Sequence, residues 1–143
     1  MNRERLIKII EDMQECIADI NECLDILENR KNDDLIIKLS KSSLRQLFVS
    51  FHTILEELAS ILLKEIKKYK IGITLHESLI ILKKKGIIQE DLYMFLEKSR
   101  LIRNRISHRY KEPTHEELFE HMLNYNNYFE AVLKIAKLHI RQE

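Results

Sequence analysis

The chain has 143 residues and a net charge of +1, with 45% hydrophobic and 33% charged residues but only two glycines and one proline. That length suits one domain, residues 1–143, large enough to bury its own core without metals or disulfides, and the balance of apolar and charged residues excludes a disordered chain. Sheet proteins of this size need many glycine- and proline-rich turns, so the composition predicts long helices.

The first helix starts near the N-terminus, where MNRERLIKIIEDMQEC mixes both signs of charge with apolar residues and is neither a signal nor a transit peptide. Leu6, Ile10, Met13, Ile17, Ile20, Leu24 and Leu27 recur in steps of four and three, which marks one buried stripe. Cys16 and Cys23 sit on this helix roughly 10 Å apart, beyond the ~7 Å that a disulfide spans. They read as small apolar residues of a reducing compartment. The helix ends at the polar connector ENRKNDD, where Asn32 or Asp33 caps the next one.

The second helix carries Leu44, Leu47, Phe51, Ile54, Leu58 and Ile61. It starts at Asp33 or after a break around Ser40–Ser43, and runs to about Tyr69 before Gly72 breaks it. Thr74 and Glu77 form a capping-box pair for a short third helix that Gly86 stops. A fourth helix begins near Gln89, and Pro113, Thr114 and Glu117 open a fifth that carries Leu118, Met122, Tyr125, Phe129, Val132 and Ala136. The expected fold is all-α, an antiparallel four-helix bundle with one additional short helix. No apolar run approaches the ~20 residues that span a bilayer, so no membrane partner is expected and the expected location is the cytoplasm.

The charge of the chain is unevenly placed. From Lys98 to Lys111 the window KSRLIRNRISHRYK has six Lys or Arg and no acid, so the rest of the chain carries −5 against the total of +1. With Leu92 at zero and about 100° per residue, Phe95, Leu96, Ile102 and Ile106 form the core stripe of the fourth helix. Arg103 falls at about 20°, inside that stripe, where an arginine must snorkel outward, pair with a buried partner or face a shared cleft. On an unbroken helix His108 points about 140° away from Arg103. The two converge only if the helix ends near Ser107, or if a second copy supplies the other half of the site.

Arg103, four residues, His108, one residue and Tyr110 resemble the Arg-x4-His-x-Tyr signature of HEPN-domain proteins, specifically the HepT-like toxins, in which an asparagine commonly follows the arginine, as Asn104 does here. The resemblance covers nearly the whole chain: two long helices, a short one ending in KKKGII, the motif, and a last long helix. It implies a HEPN-like bundle, a homodimer, and a metal-independent endoribonuclease needing no cofactor. It also implies a partner, a minimal nucleotidyltransferase antitoxin that transfers AMP to the motif tyrosine, here Tyr110.

The residue chemistry suits RNA cleavage through the ribose 2′-OH, which needs proton transfer at two oxygens and positive charge on the phosphate. His108 is the acid or base, because histidine takes either protonation state near neutrality. Arg103 offers a planar fork matched to phosphate oxygens. Asn104 binds the phosphate or holds the histidine ring. Arg100, Arg105, Arg109 and Lys111 form the surrounding electrostatic footprint for RNA. A metal site is not expected, since His108, His115 and His121 stand seven and six residues apart and HEELF lacks the second histidine of HExxH. Cys16 and Cys23 have no histidine near them in sequence, which argues against thiol catalysis. A second reading is a non-catalytic HEPN-like helical dimer that binds and assists a nucleotidyltransferase.

Overall fold

The structure is a computed structural model that describes residues 2–29, 31 and 33–141. Its elements are α1 (Arg3–Asn29), α2 (Asp34–Glu65), α3 (Leu75–Lys84), α4 (Glu90–Ile106), α5 (His115–Asn124) and α6 (Asn126–Arg141). Among the described residues there is no strand.

The local signals set most of these boundaries. Asp33 caps α2 by accepting the Ile36 amide at 2.9 Å, and the alternative cap, Asn32, lies outside the described residues. There is no break at Ser40–Ser43, because serine costs a helix interior only a few tenths of a kcal/mol and Ser40 is buried in the bundle. Thr74 and Glu77 close the expected capping box on α3. Gly86, at φ 72°, ends that helix with its amide on the Lys83 carbonyl and that of Ile87 on the Leu82 carbonyl, a Schellman motif that suits glycine.

Two boundaries differ from the sequence expectation. α2 stops at Glu65, short of Tyr69, in a second Schellman motif with Lys67 at φ 59° and the Lys68 amide on the Leu63 carbonyl at 2.8 Å. A lysine there adopts a conformation that glycine adopts more cheaply, which is why Gly72 looked like the stop. The expected last helix is two helices, divided at Tyr125, whose φ and ψ of −114° and 25° leave the helical range. Asparagines flank the break, and short polar side chains of this kind compete for backbone hydrogen bonds. Asn126 reaches across to Asn21 of α1 at 2.7 Å.

α2 is the central helix and packs against α1, α3, α4 and α5, while α6 returns against α1 and α4. Phe51 of α2 meets Phe129 of α6 edge-on at 4.8 Å, and Phe95 of α4 meets the same ring at 5.5 Å. Each such pair adds about 0.5–1.5 kcal/mol to the burial of its rings. Cys16 and Cys23 are free and buried, and burial pushes the Cys16 thiol up to about 11, so it sits as an inert apolar group. α2 is the one described helix long and apolar enough to cross a bilayer, and half of that stretch is buried inside the bundle.

Candidate functional site

The motif straddles the end of α4. The helix stops at Ile106 with Ser107 as its C-cap, and the Ser107 hydroxyl donates to the Asn104 carbonyl at 2.9 Å. The chain then turns tightly, with the His108 amide on the Arg105 carbonyl at 3.1 Å and the Lys111 amide on the His108 carbonyl at 3.0 Å. The helix end near Ser107 is one of the two arrangements that the spacing of Arg103 and His108 left open. His108, Arg109, Tyr110 and Lys111 all stand exposed on this turn. Tyr110 is 86% exposed, with the Lys111 ammonium 5.9 Å from its ring centroid.

Two arginines clamp the turn from either side. Arg105 grips Glu117 of α5 with both guanidinium arms at 2.6 and 2.9 Å and donates its Nε to the Lys111 carbonyl at 2.9 Å. The hydrogen bond and charge of Arg105 hold the Glu117 carboxyl below its usual range. Arg45 of α2 binds the Glu112 carboxylate and the Pro113 carbonyl at 3.0 Å. Arg105→Ala is expected to free the turn, measured as several-fold faster hydrogen exchange at the His108 and Lys111 amides with the core amides unchanged.

Arg103 is half-buried on the core side of α4, and its side chain makes no hydrogen bond and no ion pair among the described residues. Behind it lies a polar cluster inside the core. Ser99, one turn earlier on α4, hydrogen-bonds His121 Nε2 at 2.7 Å, and the His121 ring stacks on Phe95 at 5.1 Å. His52 of α2 lies 4.8 Å from Phe48, is 1% exposed, and has no hydrogen-bond partner for either ring nitrogen. An orphaned buried polar atom costs about 1–3 kcal/mol. Burial, then the nearby charges of Arg103 and His121, push His52 down to about 3. Burial and then the charge of Lys98 push His121 down to about 4. Both rings are neutral at physiological pH.

The structure thus brings Arg103, Asn104, His108, Arg109, Tyr110 and Lys111 to one helix end, with Asn104 exposed beside them. No hydrogen bond joins Arg103 to His108 within the described residues. Arg100 and Arg105 are turned elsewhere. Arg100 is bound to Glu97 at 2.9 Å and lies 3.5 Å from His76 of α3, so both guanidinium charges meet carboxylates before any RNA. Sequence reasoning missed His52 and Arg45. His52 falls about 80° beyond Leu44, the nearest residue of the stripe read for α2, so a helical-angle count on that stripe does not find it. Arg45 carried no signal, because its partners lie 67 and 68 residues away. Among the described residues no three His, Cys, Asp or Glu side chains gather to hold a metal ion. Compared with protein-family models, curated proteins and solved structures, the chain matches none of them.

Proposed function

We propose that the chain is a HEPN-type, metal-independent endoribonuclease, the toxin of a toxin–antitoxin pair, acting as a homodimer in the cytoplasm. The observation that carries this reading is Arg103. It alone of Arg45, Arg100, Arg103 and Arg105 holds no carboxylate, although it projects from the core face of its helix, and one turn later the helix ends and releases His108 to solvent. A guanidinium kept without a counter-ion is the group a phosphate needs.

In this mechanism one histidine takes the proton of the ribose 2′-OH and the 2′-oxygen attacks phosphorus. The bond from phosphorus to the 5′-oxygen breaks, and that oxygen takes a proton from the second histidine, in its protonated form. The products are a 2′,3′-cyclic phosphate and a 5′-hydroxyl. His108 of each copy supplies one proton-transfer group, Arg103 neutralises the phosphate as charge develops, and Asn104 hydrogen-bonds the phosphate or steadies the ring. Arg109 and Lys111 carry the exposed part of the electrostatic footprint, with Arg100 and Arg105 weakened there by their carboxylates. The test is incubation of the purified protein with single-stranded RNA in EDTA, beside Arg103→Ala and His108→Ala. Absence of cleavage, or cleavage that survives both substitutions, overturns the ribonuclease reading in favour of a non-catalytic dimer that assists a nucleotidyltransferase.

Tyr110 is the off switch. Its exposed phenol attacks the α-phosphorus of ATP in the active site of the partner nucleotidyltransferase, pyrophosphate leaves, and the attached AMP places an anion and a base beside Arg103. After co-expression with that enzyme the intact mass is expected to rise by whole AMP units, and Tyr110→Phe to abolish the rise.

A further inference from the structure

Among the described residues, three buried side-chain polar atoms lack a hydrogen-bond partner, and all belong to two histidines behind the motif: Nδ1 and Nε2 of His52, and Nδ1 of His121. Phe48 of α2 touches both rings, its centroid 4.8 Å from that of His52 and 6.0 Å from that of His121. The pair is tied to α4 through Ser99, which holds His121 Nε2 at 2.7 Å and stands one helical turn before Arg103. Of the charges that act on the His52 ring, that of Arg103 has the largest effect. An apolar residue at position 52 fills the same space without leaving nitrogens unpaired, so packing alone does not call for a histidine there.

Arg103 has the opposite need. A guanidinium is all donors and no acceptor, and this one has neither a hydrogen bond nor an ion pair among the described residues. While the site is open, water serves the exposed part of the half-buried group. A phosphate takes one edge of the fork, and the strand that brings it shuts water away from the rest. Donors turned toward the core then need an acceptor from the protein. A carboxylate supplies one but cancels the charge that the phosphate requires. A neutral imidazole accepts a hydrogen bond and leaves that charge intact, and burial keeps His52 in the neutral form.

We propose that His52 is the positioning residue of Arg103: when a phosphate engages the outer edge of the guanidinium, one ring nitrogen of His52 accepts an N–H from its inner edge and fixes the plane of the fork. This rests on the ribonuclease reading for the source of the phosphate, but not for the pairing of the two side chains. It also accounts for a histidine at a place where leucine makes the more stable fold: the unpaired nitrogens cost stability in the free protein and align the arginine in the loaded one.

Stability and activity are expected to move in opposite directions in His52→Leu: the unfolding midpoint at neutral pH rises, while kcat for RNA cleavage falls by about 10- to 100-fold with KM nearly unchanged. His52→Gln, which keeps a neutral acceptor, is expected to retain most of the rate. In an Arg103→Ala background His52→Leu is expected to lower cleavage no further, because the group it positions is gone. Nitrogen NMR of the imidazole rings reads the pairing without any cleavage: addition of inorganic phosphate is expected to move one His52 signal in the unaltered protein and neither in Arg103→Ala. The proposal is overturned if His52→Leu cuts RNA at the unaltered rate, if His52→Gln falls as low as His52→Leu, or if phosphate leaves the His52 signals in place or moves them equally in Arg103→Ala. A phosphate response that needs Arg103, in a protein that cuts no RNA, leaves the pairing standing and removes only the ribonuclease reading.

Discussion

Between pH 6.5 and about 4.5 the fold is expected to lose on the order of 5 kcal/mol of stability, through His52 and His121. In the unfolded chain both titrate near 6.5, while in the fold burial holds them at about 3 and about 4. Their folded values are depressed, so the contribution is complete above pH 6.5 and is lost as pH falls toward the folded values. Unfolding takes up about one proton at pH 6.5 and nearly two near pH 5, a slope of roughly 1–3 kcal/mol per pH unit across the window. Glu97 acts in the same direction at lower pH. Burial raises its pKa, but hydrogen bonds from Arg100 and His76 outweigh this and hold it below the usual value.

A domain of this size has roughly 5–15 kcal/mol to lose, so urea midpoints measured from pH 7 down to 4.5 should fall steeply. A flat profile contradicts the neutral, unpartnered state assigned to His52. His52→Leu separates this from general acid sensitivity: it should halve the slope, and at pH 7 it should raise stability by about 1–3 kcal/mol, since two orphaned polar atoms are replaced by an apolar side chain of similar size.

The second large effect is on catalysis. His108→Ala is expected to lower RNA cleavage by on the order of 10² to 10⁴, the range for loss of a proton-transfer group. Arg103→Ala should lower it by a similar factor, as removal of a charge aimed at the developing anion does, with Arg103→Lys failing to restore it because an ammonium does not reproduce the fork. Neither side chain makes a hydrogen bond or ion pair among the described residues, and the backbone bonds of His108 survive substitution. Unfolding midpoints at pH 7 should therefore stay near those of the unaltered protein, which separates a chemical loss from a folding loss.

The parts of the fold that rest on neighbours in sequence were legible in it. The Thr74–Glu77 box and Gly86 depend on near neighbours and appear as read, and the α1 stripe does so except that Ile9 is buried where Ile10 was expected and Ile10 is half-buried. The parts that depend on distant chain were not. The end of α2 at Lys67 has no residue that announces it, and the division at Tyr125 sits in a sequence whose apolar period runs through without a gap. At the site, the conflict between Arg103 and the apolar stripe was visible from helical angles, as was a helix end near Ser107 as one of two ways for His108 to join it. The commitment of Arg100 to Glu97 and of Arg105 to Glu117 was not visible. A run of basic residues shows the charge it contributes but not the carboxylates that folding sets beside it.

Arg103 and His108 are proposed to cut RNA through its own 2′-oxygen. The most direct test is the chemical nature of the ends released from single-stranded RNA in EDTA. The ends expected are 2′,3′-cyclic phosphate and 5′-hydroxyl, lost together in Arg103→Ala and His108→Ala. Ends bearing 5′-phosphate and 3′-hydroxyl, or cyclic-phosphate ends that persist in both variants, contradict it.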